Sequence, residues 1–200
     1  MTAKYDQLLK KVINQEIISL QNIETKINQE YNQVIDAVLN TTGKVIFLGV
    51  GKSGHIGKKL AATFASTGTP SFFVHATEAV HGDLGMIEKD DLVVAISNSG
   101  ETKEVLNTFV SLKIIGCKVI ALTGNRESSL AKKSDLLLEV KVSGEADEYN
   151  LAPSNSSTAA LVVGDAVALT VSHLKGFKPN DFAVFHPGGA LGKRLLGEEL

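Results

Sequence analysis

Cysteine is nearly missing from this 200-residue chain: Cys117 stands alone, so no intrachain disulfide can form and a reducing, cytoplasmic setting is expected. An excess of charge of either sign is missing too. With 20 Lys and Arg against 22 Asp and Glu, the formal net charge is −2. No general field draws in nucleic acid or an anionic membrane, and neither is expected as a partner. The N-terminus, Met1-Thr2-Ala3-Lys4-Tyr5-Asp6, has no apolar signal-peptide core. The most apolar long run, Ala159 to Val171, is interrupted by Asp165 and too short to span a bilayer. The 5 histidines and the lone cysteine form no HExxH and no Cys pair, and His81-x-Asp83 is too sparse for a ligand set, so no metal site is expected. Internal repeats and low-complexity tracts are also absent. At 44% apolar and 21% charged residues, the chain has the composition of one soluble globular domain with a core of its own.

Glycine and proline are absent from residues 4 to 40, where Leu9, Ile13, Ile17, Leu20, Ile23, Ile27, Tyr31, Val34 and Val38 recur every three or four positions. That spacing predicts helix in one or two pieces, and residues 1–42 are expected to bury this stripe on the domain or in an oligomer. From Gly43 the texture changes to short β-rich runs, near 44–50, 71–75, 92–97, 118–123 and 136–142. Helical segments alternate with them near 55–67, 102–115, 127–133 and 157–175. Residues 43–200 are therefore read as an α/β domain: a five-stranded parallel sheet flanked by helices. In a flavodoxin-like order, 2-1-3-4-5, a crevice opens at the carboxyl ends of strands 1 and 3. The only candidate linkers are Ser143 to Ser156 and the tail after Leu195.

Three loops lead into helical segments with the residues that hold a phosphate. Ser97-Asn98-Ser99-Gly100-Glu101-Thr102 follows the apolar run Leu92 to Ile96 and precedes Thr102 to Ile115. Hydroxyls, a glycine and the free N–H groups of a helix start satisfy anionic oxygens without metal or arginine; serine and threonine also favour helix starts as simple caps. Gly49-Val50-Gly51-Lys52-Ser53-Gly54 lies between Lys44–Leu48 and a helix from His55. Its G-x-G-x-x-G spacing lacks the acidic residue that a dinucleotide fold places about 20 positions on. A Walker A loop is excluded by Ile46, where glycine is required. Pro153-Ser154-Asn155-Ser156-Ser157-Thr158 opens the apolar helix Ala159 to Leu174.

These loops resemble the sugar isomerase (SIS) family. The resemblance runs from about Gly43 to Leu196. Gly51-Lys52-Ser53-Gly54-His55-Ile56-Gly57, His81-Gly82-Asp83-Leu84-Gly85-Met86, Ser97-Asn98-Ser99-Gly100-Glu101 and His186-Pro187-Gly188-Gly189-Ala190-Leu191-Gly192 together look like its arabinose-5-phosphate isomerase branch. The resemblance implies reversible interconversion of D-arabinose 5-phosphate and D-ribulose 5-phosphate without an organic cofactor, in a homotetramer whose sites lie at subunit interfaces. It also implies that Lys52, Glu104, Glu145 and His186 form the catalytic set, with His81 in the pocket. Members of that branch usually continue into a pair of CBS domains; the sequence stops at Leu200, where the first would begin, and is read as a form without them, either truncated or naturally short.

Aldose–ketose isomerisation needs a base that moves a proton between adjacent carbons, a donor at the carbonyl oxygen and a clamp on the phosphate. His186, in a Pro-Gly-Gly turn, is of the type that serves as base near neutral pH. Lys52 supplies a point charge for phosphate or a developing enediolate oxygen. Glu104 and Glu101 lie one helical turn apart and are expected to face the crevice together, whereas Glu145 sits in an acidic loop whose plain reading is solvation. The expected phosphate and substrate contacts are Gly51, Ser53, Gly54, His81, Ser97, Asn98, Ser99, Gly100, Glu101, Thr102, Ser156, Ser157 and Thr158. Two alternatives stay open: a non-catalytic phosphosugar sensor, and an isomerase of another sugar phosphate. A nicotinamide dehydrogenase is a distant third.

Overall fold

Alternate side chains of a buried parallel strand must both find apolar cover, so such a sheet needs a helical layer on each face. The computed structural model, which describes residues 2–187 and Arg194 with side chains from Tyr5, has that arrangement. Two N-terminal helices, α1 (Thr2–Glu24) and α2 (Gln29–Asn40), precede β1 (Val45–Gly49) and α3 (Gly51–Ser66). Then come β2 (Ser71–His75), α4 (Ala76–Ala79), a 3-10 turn at Asp83–Met86 and β3 (Leu92–Ile96). The rest is α5 (Lys103–Leu106), α6 (Phe109–Ile115), β4 (Lys118–Thr123), α7 (Ser129–Lys133), β5 (Leu136–Glu139), α8 (Asn155–Leu174) and α9 (Pro179–Phe185). The five strands are parallel in the order β2-β1-β3-β4-β5, as the alternation predicts.

Val45 and Phe47 of β1, with Val94 and Ile96 of β3 and Ile120 and Leu122 of β4, pack on one face against α2, α3 and α8. Ile46, Leu48, Val93, Ala95, Val119 and Ala121 point the other way, onto Val105, Leu112 and Leu130 of α5, α6 and α7. The connection after β1 thus goes to one face and the connection after β3 to the other. That divergence opens the crevice at their carboxyl ends.

Several boundaries differ from the sequence reading. The 102–115 segment is two helices, because Thr108 turns its hydroxyl onto the Val105 carbonyl (2.7 Å) at the break. The strand expected over 136–142 ends at Glu139. The turn Gly51 to Gly54 is the first turn of α3 rather than a loop before it, and Ser156, Ser157 and Thr158 lie inside α8. Helix α9 falls where no helix was expected; its signal is Pro179 at the first helical position, with Asp181 accepting from the Lys178 N–H (2.8 Å). The apolar run 159–171 belongs to a 20-residue helix long and apolar enough to cross a bilayer by length and composition. Here α8 is a core helix instead: Ala159, Val163, Val167 and Val171 are buried.

The N-terminal stretch is two helices of unequal attachment. Helix α2 buries Tyr31, Val34 and Val38, its Tyr31 hydroxyl donates to the Glu139 carbonyl, and Arg126 bridges Glu30 (2.8 Å) and Glu139 (3.2 Å). Helix α1 packs on α8 yet leaves Leu8, Leu9, Val12, Ile13, Ile17 and Ile18 exposed.

Candidate functional site

At the end of β1, Val50 continues the extended backbone and Gly51 turns it into α3 with φ of +60°. A β-carbon at Gly51 meets open space, but the left-handed backbone favours glycine there. Val50 gives the helix no side-chain cap. The first-turn N–H groups therefore keep their partial positive charge at the crevice. Lys52 and Ser53 of this turn line a cleft of about 190 Å³ together with Asn98, Ser156 and Ser157, over an apolar floor that includes Ile56, Ile96 and Leu122. Gly54 is buried behind it, against β1. Three chain segments distant in sequence thus meet at the predicted crevice.

The Ser97 to Thr102 loop is held from within. Ser97, 2% exposed, accepts from the Gly100 N–H (3.0 Å), and its Oγ lies 2.8 Å from Thr102 Oγ1. Gly100 has φ of +70°, and a β-carbon there would lie 2.1 Å from Ser128 Oγ. Ser99, exposed at the tip, accepts from the Glu101 N–H (3.2 Å) and keeps its own O–H to give. Asn98 is likewise exposed and lines the cleft. Glu101 does not face the crevice with Glu104. Its Oε1 accepts from the Ser129 N–H (2.7 Å) at the start of α7, and that bond holds its carboxyl below the usual range. Glu104 is exposed on α5 and lies outside the cleft lining.

The start of α8 carries a carboxylate already. Glu145 Oε2 accepts from the Ser154 N–H (2.8 Å), the Ser156 N–H (3.1 Å) and the Ser154 hydroxyl (3.2 Å), while Oε1 accepts from the Ser156 hydroxyl. Partial burial works to raise the pKa of Glu145. The Ser156 hydroxyl and the Ser154 and Ser156 donors outweigh it, leaving the group below the usual carboxylate range. The plain solvation reading of Glu145 is overturned by these bonds, and the Ser156 hydroxyl, expected as a phosphate contact, is given to Glu145. Ser157 donates to the Ser154 carbonyl (3.1 Å) and still borders the cleft; Thr158 is half-buried in the same turn, outside the lining.

Sequence reasoning missed the brace beneath Glu145. Asn150 accepts from the Glu145 N–H (2.6 Å), and buried Asn155 donates to the Gly144 carbonyl (2.8 Å). Asp147 accepts from the N–H groups of Leu151 (2.9 Å) and Ala152 (2.8 Å). The Asn and Asp content of Ser143 to Ser156 was the available signal, since these residues bond nearby backbone. Glu145 borders a second hollow of about 440 Å³ that shares Asn98 and Pro153 with the first.

The histidines are not in this cleft. His81 is exposed in the turn after α4, on the carboxyl side of β2, and does not line it. His186 caps α9, its ring stacked on Phe182 at 3.9 Å with Nδ1 3.0 Å from the Phe182 carbonyl. Phe185 stacks on Phe177, which abuts Gly68 just past the end of α3, and Lys175 bonds Thr69 (3.0 Å). His186 therefore sits toward the amino ends of the strands. Lys52 is at the other end of α3, a 16-residue helix about 24 Å long. Gly188 to Gly192 of the fourth motif lie outside the described residues.

A family model of the SIS domain matches residues 39–170. Over 189 residues, 94% of this chain, it is 48% identical to arabinose 5-phosphate isomerase KpsF of Escherichia coli. Over 192 residues, 96% of this chain, it is 50% identical to arabinose 5-phosphate isomerase KdsD of Salmonella typhi. The chain spans about 58% of the length of these curated relatives. A protein of E. coli CFT073, solved in complex with arabinose 5-phosphate, is 52% identical, with a TM-score of 0.92 over 94% of this chain and 100% of that one.

Proposed function

Since the chain belongs to the SIS domain family, we propose that it is a sugar-phosphate isomerase that interconverts D-arabinose 5-phosphate and D-ribulose 5-phosphate through an enediol(ate), with no organic cofactor. The observation that carries this reading is the cleft itself, where an uncapped helix start, Lys52, Ser53 and Asn98 converge over an apolar floor. Such a site suits an anion with a short polar tail. Ser53, Ser99 and Thr102 supply hydroxyl donors, with the first-turn N–H groups of α3 beside them. Ser97 and Thr102 share one hydrogen bond in which either hydroxyl can donate, so one O–H of the pair stays available to the phosphate. Gly51 and Gly100 shape the two turns that present these donors. Lys52 and the carboxylates Glu104 and Glu145 polarise and orient the reacting carbons.

His186 is the base that moves the proton, and it serves the cleft of a neighbouring copy. Its distance from its own chain's cleft supports this assignment, as does the exposed apolar face of α1, which needs a cover. Helix α1 and its neighbour α8 are the association surface of a homotetramer with shared sites, working in the cytoplasm. His81, on the cleft side of the sheet edge, closes over substrate in that assembly.

The test is a coupled isomerisation assay over pentose, hexose and heptose phosphates, with His186→Asn beside wild type. Turnover of arabinose 5-phosphate is expected, and its loss in His186→Asn with sugar-phosphate binding kept. Mixing His186→Asn with Ser53→Ala chains restores part of the activity if two copies build one site. Binding without turnover on any sugar would turn the reading toward a phosphosugar sensor.

A further inference from the structure

The start of α8 carries the serine-rich signature of a phosphate loop, yet its donors are spent on a residue of the chain itself. We propose that Ser156, with Ser154 beside it, is a positioning residue that holds the Glu145 carboxylate in the hollow beside the cleft, and not a ligand of the substrate phosphate. The proposal rests on the isomerase reading above for what Glu145 then does.

A carboxylate offers about four lone-pair sites. Oε2 takes three donors from Ser154 and Ser156 and is saturated, whereas Oε1 takes only the Ser156 hydroxyl. Ser156 borders the cleft and Glu145 the adjoining hollow, so Oε1, which keeps an open site, is the oxygen able to accept a proton or a sugar hydroxyl. The Asn150, Asn155 and Asp147 bonds fix the backbone on which Glu145 stands. The depressed pKa of Glu145 agrees with a carboxylate kept ionised by its donors. The charged groups around it do not account for that depression. Lys141 borders the same hollow from the end of β5 and Lys52 the neighbouring cleft, while on its own loop Asp147 is turned to backbone N–H groups and Glu148 is exposed.

The experiment follows the Glu145 carboxyl by carbon NMR titration, assigned with Glu145→Gln, in wild type, Ser156→Ala and Ser156→Thr. It also records kcat and KM against pH. In Ser156→Ala the Glu145 midpoint is expected to move up, and the acid limb of kcat to move with it. The plateau of kcat falls about tenfold to hundredfold as the carboxylate loses its aim, and KM for the sugar phosphate stays within about twofold. Ser156→Thr, which keeps the hydroxyl, restores all of these. A Glu145 midpoint unmoved in Ser156→Ala overturns the proposal, as does a rise in KM and weaker binding of inorganic phosphate with the pH profile unchanged. If wild type turns over no sugar phosphate, the isomerase reading falls separately, and the titration alone still decides whether Ser156 holds Glu145.

Discussion

Helices α3 and α8 lie side by side and both begin at the cleft with serine in the first turn, but one start is left open and the other is filled. At α3, Val50 has no polar group to give, Gly51 carries no side chain, and the first turn faces the cleft uncapped. At α8, Glu145 has folded back onto the same kind of donor array and neutralised it. A serine-rich helix start is thus a socket for an anion in either case. Whether it serves a ligand depends on whether the chain keeps a carboxylate within reach.

Of changes at the two helix starts, the largest effect is expected from Glu145→Gln, which removes the anion from the filled socket while keeping the shape. Turnover should fall by about 10²-fold or more, the scale of lost orientation at the reacting carbons, with sugar-phosphate affinity unchanged by calorimetry. A variant that turns over normally would reduce Glu145 to a cap. The comparison sharpens with serine-to-alanine changes at the two starts. Ser53→Ala should weaken sugar-phosphate binding by about 1–3 kcal/mol and leave thermal stability alone. Ser154→Ala should do the reverse, lowering stability by about 1 kcal/mol as a lost helix-start donor. Equal effects of both changes on binding would erase the distinction.

Acid offers a gentler way to empty the filled socket. The folded-state pKa of Glu145 is depressed, so the stability it adds is fully present above the unfolded carboxyl range and is lost as pH falls through the folded value. Melting curves of wild type and Glu145→Gln should therefore differ at neutral pH and converge once the pH has fallen below the depressed folded value of Glu145. The smallest effect is expected far from both sockets: Arg126→Ala breaks solvent-screened ion pairs to Glu30 and Glu139 and should barely move the urea midpoint, with activity intact.

The sheet and its crevice were legible in the sequence because apolar runs and turn residues are local signals. Leu92 to Ile96 needs no knowledge of its neighbours to declare a buried strand. The break at Thr108 and the helix over Pro179–Phe185 were harder, as each turns on one or two side-chain bonds. In the site, Lys52, Ser53 and Asn98 were readable from their place after strands. The bond from Glu145 to Ser156 spans 11 residues of irregular loop, and Glu101 reaches Ser129 28 residues on. No periodicity announces such pairs, and only the folded backbone brings the partners together.

Strand β5 is an edge of the sheet, and an edge strand offers its unpaired backbone as a template on which another chain can polymerise. Here that edge is short, covered by α2 and fastened where Tyr31 takes the Glu139 carbonyl and Arg126 clasps Glu30 and Glu139. Growth of the sheet from one molecule into the next is blocked on that side. The attachment of α2, which plays no part in the cleft, thereby protects the chain from fibril-like aggregation at that edge.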